Sequence, residues 1–384
     1  MKFQSINFTC DSCGAPLRYS PATASLHCEF CSTNKAIPKS DEAIEEYDFK
    51  SALRFLGNND SQEINKEITC NKCAATFKLT PYSISSNCPY CNTPAITDFV
   101  KDITPKSLLP FQLTQKEARE RFKKWIGSLW FAPNKLKDFV DGDEKLQGYY
   151  LPHWTYDSQT KTYYRGQRGD IYYVTVERRV IIDGREQIIQ QREARINWTP
   201  VSGHIQNEFD DITIGASKTI SHSILNSLTP WHTEHLIAFD ERYLSGFKAE
   251  EYTIGLDNAF EYAKMKMDTI IQRDIRRDIG GDQQRIDNMQ TSYHNTTYKN
   301  ALFPVWTAQF KWQDKEYNYA INAQTGKIAG ERPYSIVKIT ILVIFTILVL
   351  GSAFYLQENG AYLQDRFENV HFEFPSSNFN YHIP

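Results

Sequence analysis

The sequence predicts an α+β protein with two small four-cysteine zinc ribbons, a β-rich α+β cytosolic domain and one C-terminal transmembrane helix. Three observations predict this architecture. All eight cysteines of the 384-residue chain occur as four Cys-x-x-Cys pairs within the first 91 residues. Aromatic residues make up 14% of the chain, mostly Tyr and Phe, and they favour β structure in the region that follows. Near the C-terminus, 18 consecutive uncharged residues run from Ile339 to Leu356.

The zinc ribbons are predicted over residues 1–37 and 68–100, because the cysteine pattern repeats with an offset of 60 residues. In both copies, 14 residues separate the two Cys-x-x-Cys pairs. Each pair places two thiolates on one tight turn, and Zn²⁺ takes four such ligands in a tetrahedron. Because four protein ligands leave no open coordination position, we expect two structural Zn²⁺ ions. The predicted metal ligands are Cys10, Cys13, Cys28, Cys31, Cys70, Cys73, Cys88 and Cys91.

Other uses of these cysteines are weighed against zinc. A lone Cys-x-x-Cys pair is typical of thioredoxin-like redox proteins, whereas four pairs in two matched copies favour a metal. Sites with four cysteine ligands accept iron as well as zinc, so the sequence leaves these two metals open. A disulfide scaffold would spread its bridges over a small secreted domain. Since the last 293 residues hold no cysteine, the thiols indicate a reducing compartment instead.

Residues 38–67 are predicted to form a linker with some local order. Its acidic, polar start is typical of a connecting segment, and a short helix is expected near residues 47–56. A linker of this kind would separate the two ribbons from each other and from the following domain. We therefore expect Cys70→Ser to unfold the second ribbon and to leave the rest of the protein intact.

The α+β domain is predicted over residues 101–332. A helix begins after Thr114, because Thr114 and Glu117 have the spacing of a capping box. Asp183-Gly184 is a strong hairpin-turn signal between two apolar runs. Gly280-Gly281 is a natural stop for the preceding helix. The other predicted elements are strands at 149–156, 161–166, 171–182, 185–196, 301–312 and 316–322, and helices at 217–228 and 249–279.

The membrane helix is predicted over residues 336–356. The 18 uncharged residues span roughly 27 Å as a helix, which is close to the thickness of a bilayer core. The alternative, a buried core helix, fits less well because the segment is apolar on every face. Lys327, Arg332 and Lys338 precede the segment, whereas acidic residues dominate after it. Since Lys and Arg favour the cytoplasm, we expect a single-pass plasma-membrane protein with a cytoplasmic N-terminus and an extracytoplasmic tail, 357–384.

Charge and motifs narrow the classes of function. The net charge is −3 overall, zero for residues 8–37 and +2 for residues 68–97, whereas phosphate-backbone binding needs several cationic contacts. Protein docking is therefore the preferred role of the ribbons. No phosphate-binding loop, dinucleotide fingerprint or nucleophile elbow is found, so no catalytic residue and no enzyme activity are predicted. His232 and His235 flank Glu234 without forming a zincin motif, and Asp210-Asp211 is interpreted as a turn.

Several segments resemble a known family. The paired ribbons are followed by LPFQLT, YYLPHWTYD, YYRGQRGD, WTPVSGHI, FDDITIGAS, IGGDQQRI, LFPVWTAQF and NAQTGKIAGERP, and then by the membrane helix. This arrangement resembles a bacterial family of double zinc-ribbon single-pass membrane proteins, the zinc-ribbon membrane partners of phage-shock protein A and SPFH (flotillin-like) systems. Members often carry the label primosomal protein N′ or helicase-like. Because this sequence lacks the nucleotide-binding loop of a helicase, that activity is not expected.

The resemblance implies a membrane-anchored adaptor or scaffold in the envelope-stress response. Its expected partners are phage-shock protein A-like and SPFH proteins, together with the lipid bilayer. The alternative is a membrane-tethered nucleic-acid-binding zinc-ribbon protein, for which the +2 charge of the second ribbon is the only support. Homo-oligomer formation, a ligand of the 101–332 domain and the role of the tail remain open on sequence alone.

Overall fold

Three long antiparallel strands dominate the fold of the chain in its computed structural model. The structure describes residues 2–38, 40, 42–56, 66–133, 136, 146–182, 185–313 and 315–368. The chain divides into two compact units. One consists of Met1–Trp125 and Gly142–Glu331, and the other of Ile126–Asp141 and Arg332–Pro384.

Helices and strands are numbered separately along the described chain. The helices are α1 Phe49–Phe55, α2 Gln115–Ser128, α3 His222–Ser227, α4 Leu256–Ile279 and α5 Ile336–Glu368. The strands are β1 Lys2–Gln4, β2 Arg18–Ser20, β3 Ser25–His27, β4 Asn34–Ala36, β5 Tyr47–Asp48, β6 Glu67–Thr69, β7 Thr76–Lys78, β8 Ser83–Asn87, β9 Pro94–Ile96, β10 Ser107–Leu108, β11 Gln147–Ile182, β12 Arg185–Gly215, β13 Ile237–Ala238, β14 Lys248–Glu250, β15 Gln283–Trp312, β16 Lys315–Asn322 and β17 Ile328–Gly330.

The large sheet is organised around β11. On one edge β11 pairs antiparallel with β12, and this ladder ends at Ile182 opposite Arg185. On the other edge it pairs antiparallel with β15, and this shorter ladder ends at Gly169 opposite Gln283. β14 pairs with the start of β11, and β5, β10 and β16 pair with β15. The α+β class predicted from the sequence is confirmed.

The sequence predicts three separate strands where the structure has one. Residues 149–156, 161–166 and 171–182 all belong to β11. In the first predicted gap, 157–160, the strand continues through a β-bulge, where the register with β12 shifts between Tyr156 and Ser158. Residues 167–170 of the second gap pair regularly with β12. The bulge keeps the strand in the sheet while it accommodates an extra residue. The predicted Asp183-Gly184 turn lies outside the described residues.

β15 begins at Gln283, well before the predicted strand 301–312. Its first half is mostly polar, so its sequence shows little of the apolar alternation that predicts a strand. Ile286, Met289 and Tyr293 nevertheless pack against the core that includes α4. This half of β15 forms a strand because it pairs with β11, which is distant in sequence. The predicted strand 316–322 is confirmed as β16.

Helix α4 covers one face of the three long strands. Its apolar residues recur at helical spacing and bury one side of the helix against the sheet. The buried positions are Leu256, Ala259, Phe260, Ala263, Met267, Ile271, Ile275 and Ile279. Gly280, at a φ of 66°, ends the helix and donates its N–H to the carbonyl of Arg276, as predicted. Asp282, which follows, accepts a hydrogen bond from the N–H of Ile171 at 2.7 Å.

The starts of two predicted helices are wrong. The predicted helix 249–279 begins only at Leu256, because residues 248–250 pair with β11 as β14. The predicted helix 217–228 is shortened to α3, because the hydroxyl groups of Ser217 and Thr219 donate to the buried carboxylate of Glu250. These hydrogen bonds favour a non-helical course for the segment.

The predicted start of α2 is confirmed by a reciprocal cap. The N–H of Glu117 donates to Thr114 Oγ1 at 3.3 Å, and the N–H of Thr114 donates to Glu117 Oε2 at 2.8 Å. Two otherwise unpaired backbone donors are satisfied in this way. The short helix expected near residues 47–56 is present as α1.

The cysteine-bearing segments are joined to each other. We refer to residues 8–37 as the first four-cysteine unit and to residues 68–97 as the second. β1, which precedes the first unit, pairs in parallel with β6 at the start of the second, with Phe3 opposite Ile68. Ser5 Oγ accepts a hydrogen bond from the N–H of Asn71 at 3.0 Å. The N-terminal strand of the chain therefore completes the second unit.

Both four-cysteine units are also joined to the large sheet. β8 of the second unit pairs antiparallel with β14, with Ser85 opposite Ala249. Ser245 Oγ donates to the carbonyl of Leu17 in the first unit at 2.7 Å. The expectation that a linker isolates the second unit is therefore wrong. The physical reason is that short strands with few apolar residues gain hydrogen bonds and burial by pairing with a larger sheet.

In the second compact unit, α5 begins beside the segment that follows α2. The N–H of Ser335 donates to the carbonyl of Phe131 at 2.7 Å, and Lys338 Nζ donates to the carbonyls of Trp130 and Ala132. From Ile339 onwards, every described side chain of α5 is exposed.

The apolar part of α5, Ile336–Tyr355, is long enough to cross a membrane. The helix continues to Glu368, beyond the predicted boundary at residue 356 and into the segment predicted as a tail. Residues 369–384 of that tail lie outside the described residues.

Candidate metal centres

Each Cys-x-x-Cys pair lies on a tight turn, here called a knuckle, and the four knuckles have the same backbone hydrogen bonds. In the first, the N–H of Cys10 donates to the carbonyl of Ala15, and the carbonyl of Cys10 accepts from the N–H of Gly14, both at 2.8 Å. The knuckles that begin at Cys28, Cys70 and Cys88 repeat this pattern. A turn of this kind holds both thiols of a Cys-x-x-Cys pair on one side of the backbone.

Each knuckle has one residue in the left-handed region. The four φ angles are 70° at Gly14, 58° at Ser32, 56° at Ala74 and 55° at Asn92. Glycine and asparagine tolerate this conformation, whereas alanine and serine adopt it at a cost. The same conformation is therefore imposed at all four positions, including two where the residue type does not favour it.

The Sγ atoms of each unit converge. In both groups all four lie within 4.8 Å of one another. Tetrahedral zinc with Zn–S bonds of about 2.3 Å requires Sγ–Sγ separations of roughly 3.8 Å. Across the knuckles, the Sγ–Sγ distances are 3.5 Å for Cys10–Cys31, 3.5 Å for Cys13–Cys28, 3.7 Å for Cys70–Cys91 and 3.8 Å for Cys73–Cys88.

The eight predicted ligands are thus brought together as two groups of four, and two metal ions could be held. The first cysteine of every knuckle is buried. The second is more exposed: Cys13, Cys31 and Cys73 are exposed, and Cys91 is partly buried. Each site consequently lies between the body of its unit and solvent.

Two threonines add hydrogen bonds that were not predicted from the sequence. Thr33 Oγ1 lies 3.1 Å from Cys31 Sγ, and Thr93 Oγ1 lies 3.3 Å from Cys91 Sγ. These contacts lower the pKa of both thiols to about 6. A lower thiol pKa favours the thiolate, which is the form that binds metal. The signal was available, because both threonines stand two residues after the last cysteine of their unit.

A third group of acidic residues is held by a lysine. Asp157, Asp210 and Asp211 converge at the bulge between β11 and β12, so the interpretation of Asp210-Asp211 as a turn is wrong. Lys299 Nζ lies 2.8 Å from Asp211 Oδ1 and 3.1 Å from Glu46 Oε1. Burial raises the pKa of Asp157 to about 6. Lys299 Nζ also lies 3.7 Å from Asp157 Oδ2, so its ammonium group pairs with Asp211, Asp157 and Glu46, whereas Asp210 is exposed.

His232 and His235, which the sequence did not assign to a zincin motif, lie at the surface. Both side chains are exposed on a short 3-10 turn, Thr233–His235. His232 Nδ1 lies 3.1 Å from Glu234 Oε1. The pKa of Glu234 is lowered mainly by a hydrogen bond from the Glu234 backbone and to a smaller extent by His232.

An exposed aromatic side chain stands between the cysteines of one knuckle in each unit. Phe30 lies between Cys28 and Cys31 and is 76% exposed. Tyr90 occupies the equivalent position between Cys88 and Cys91 and is 70% exposed. The two positions are related by the repeat of 60 residues.

Comparison with known proteins gives one distant similarity. The uncharacterized protein YdjG of Bacillus subtilis (strain 168) is 25% identical to this chain over 339 residues. The match covers 86% of this chain and 91% of YdjG. No family model matches the sequence, and no solved structure matches it. The similarity therefore extends over most of both chains without assigning an activity.

Proposed function

We propose that the protein is a membrane-anchored adaptor whose two zinc-loaded four-cysteine units dock protein partners. The observation that carries this proposal is the repeated exposed aromatic, Phe30 in the first unit and Tyr90 in the second. Large apolar side chains scattered singly on a surface are common. The same exposed aromatic at the same knuckle position of two units is a more specific arrangement.

The knuckle gives these aromatics the properties of binding anchors. Aromatic side chains are enriched among the residues that dominate protein interfaces. Both stand between two metal ligands, so a bound ion would fix the backbone on either side. A preorganised side chain loses little conformational entropy when it binds. This arrangement favours a partner with an apolar pocket for a single aromatic ring.

Charge disfavours nucleic acid as the partner of the first unit. Arg18 lies 3.6 Å from Glu29 and donates to the carbonyl of Asn92, and Lys35 pairs with Asp11 at 2.9 Å. The cations of this unit are thus engaged within the protein. Nucleic-acid binding requires several cations directed at phosphates.

The membrane anchor of the proposal is α5. Its apolar stretch Ile336–Tyr355 has the length and composition of a span. Trp130 and Tyr334, at the start of the helix in the same compact unit, are both exposed. Tryptophan and tyrosine are enriched where membrane proteins cross the lipid headgroups. The cationic flank at Lys327, Arg332 and Lys338 favours a cytoplasmic N-terminal side, where the cysteines stay reduced.

The proposed partners follow from the family resemblance of the sequence. The resemblance implies phage-shock protein A-like and SPFH proteins. With a cytoplasmic N-terminus, both four-cysteine units would lie on the cytoplasmic side of the membrane. The adaptor would recruit such proteins there during envelope stress.

Affinity capture from native membranes tests the proposal. We expect a defined set of proteins to co-purify with the wild type and to be lost with Phe30→Ser, Tyr90→Ser or both. Zinc content should stay at two ions per chain in these variants, because neither residue is a ligand. Phe55→Ser is the matched control, since Phe55 is equally exposed but lies outside both units. A protein set that all variants retain would contradict the proposal, and nucleic acid captured in place of protein would favour the alternative.

A further inference from the structure

The ends of β11 and β12 leave the body of the protein as a two-stranded arm. We define the β arm as residues 170–182 and 185–197. At Gly169, β11 loses its second neighbour, because β15 begins opposite that residue. Helix α4 has already ended at Ile279. Thirteen residues of each strand at about 3.3 Å per residue give an arm of roughly 43 Å.

The β arm exposes apolar residues and open strand edges. Ile181 and Ile188 are among its most exposed side chains, and Tyr173, nearer the body of the protein, is exposed as well. In the part of the chain that the structure describes, β12 pairs with β11 alone, so its outer edge carries no strand. A long open edge is a template for pairing with another strand, and natural proteins usually shield it. An isolated two-stranded ribbon is also only marginally stable.

The charge pattern on the outer edge of β12 is complementary to the same edge of a second copy of the chain. When two copies of residues 185–193 are laid antiparallel about Ile189, Arg185 stands opposite Glu193 of the other copy. In the same register, Glu186 stands opposite Arg192 of the other copy. Strand residues that stand opposite one another point to the same face of a sheet, so these opposite charges can meet. The twofold symmetry repeats both pairs, which gives four ion pairs in total.

The complementarity is specific for this register. A shift of one residue in one direction places Arg185 opposite Arg192, and a shift in the other direction places Glu186 opposite Glu193. Like charges directly opposite each other are destabilising. On the outer edge of β11, no antiparallel self-pairing of residues 170–182 brings together more than one distinct pair of opposite charges.

We propose that the β arm binds the β arm of a second copy of this chain, edge to edge through residues 185–193 of β12. The product is a four-stranded antiparallel sheet with Ile189 of both copies on the twofold axis. The charged side chains involved can rearrange for this purpose. Within one chain, Glu186 lies 3.9 Å from Arg179, and Glu193 lies 3.5 Å from Arg195. These side chains are more than half exposed, and exposed ion pairs of this kind are weak. The proposal does not depend on the adaptor function.

Two charge reversals test the pairing. The full-length protein in detergent is prepared with two different tags, and co-purification and sedimentation measure association. E186R and R192E should each weaken self-association by about tenfold or more, because each places like charges opposite at both symmetric positions. A mixture of E186R chains with R192E chains should associate as tightly as the wild type, since each contact then joins opposite charges.

The mixture separates pairing from damage to the fold, because a misfolded variant would not be rescued by a second variant. E177R is the matched control, since Glu177 lies on β11 of the same arm and away from the paired edge. Its self-association should equal that of the wild type. A monomeric wild type, single variants that associate normally, or a mixture that fails to associate would each overturn the proposal.

Discussion

Thr33 and Thr93 show how single residues outside the ligand set adjust the two metal sites. Each hydroxyl contacts the last cysteine thiol of its unit, Cys31 or Cys91, and the contact lowers the pKa of that thiol to about 6. Groups that hydrogen-bond to metal ligands commonly change metal affinity by one to two orders of magnitude. Protons compete with the metal for each thiolate, so a lower thiol pKa keeps the metal bound to lower pH.

Thr93→Val is therefore expected to release zinc from the second unit at higher pH than the wild type. Without the hydroxyl, the pKa of Cys91 rises towards its ordinary value of 9.0, and protons displace the metal earlier as the pH falls. We expect the release midpoint to move up by roughly half a unit or more. A chromogenic zinc chelator measures the midpoint. Thr76→Val, in the same unit, should leave the midpoint unchanged, because the Thr76 hydroxyl contacts Thr69 Oγ1. Equal midpoints for both variants would refute the role of Thr93.

A second residue-scale effect comes from a buried ion pair at the join between the second four-cysteine unit and the large sheet. Lys66 Nζ lies 2.9 Å from Glu251 Oε2, and the two side chains are only 1% and 4% exposed. Glu251 Oε1 also accepts hydrogen bonds from the backbone N–H groups of Val100 and Lys101. The removal of one partner leaves the other charge buried without compensation.

Glu251→Gln should accordingly lower the free energy of unfolding by about 3–5 kcal/mol. Glu261→Gln provides the control, because Glu261 is 68% exposed in its pair with Lys264 and the loss of this pair should cost less than about 1 kcal/mol. Denaturant unfolding of the zinc-loaded protein compares the two variants. Similar losses of stability in the two variants would show that the burial of the Lys66–Glu251 pair does not increase its contribution to stability.

At the scale of secondary-structure elements, local patterns predicted what local interactions determine. The cysteine spacing located all eight candidate ligands, the Thr114 and Glu117 cap located the start of α2, and Gly280 located the end of α4. Non-local pairing could not be predicted in this way. The first half of β15 is polar, and its strand character depends on β11, more than 100 residues away.

The same limit applies to the arrangement of the four-cysteine units. Lys66 and Glu251 are 185 residues apart in sequence, so no local pattern indicates their contact. The linker between the units was inferred from composition, which does not reveal that β8 joins the large sheet through β14. The exposed β arm could not be predicted either. The sequence predicts its two strands, but it does not indicate that they have no neighbouring strands.

Cys70→Ser is now expected to disturb more than the second four-cysteine unit. Loss of the metal should increase hydrogen exchange in β8, in its sheet partner β14, and in β1, which pairs with β6. Exchange in α4 should not change, because its buried face packs on the long strands. Mass spectrometry with hydrogen exchange resolves these segments. Changes confined to residues 66–97 would instead restore the view of an isolated unit.

At the scale of the whole molecule, the proposed anchor predicts an orientation. A protease added to intact cells stripped of their wall should remove a tag placed after Pro384 and should spare a tag placed before Met1. The reason is the excess of Lys and Arg before α5 and of acidic residues after it. Permeabilised cells serve as the control, since both tags should then be removed. Cleavage of the N-terminal tag in intact cells would reverse the orientation and place the cysteines in an oxidising compartment.

The central claim is that Phe30 and Tyr90, which stand between the metal-binding cysteines, contact protein partners. Site-specific photo-cross-linking tests this claim most directly. A photoreactive phenylalanine analogue is placed at Phe30, at Tyr90 or, as the control, at Phe55, and whole cells are irradiated. The account predicts cross-links to a defined protein from the positions of Phe30 and Tyr90. It also predicts their loss when Cys10→Ser or Cys70→Ser removes a ligand from the corresponding unit. Cross-links that persist without the ligands, or that occur equally at Phe55, would contradict the account.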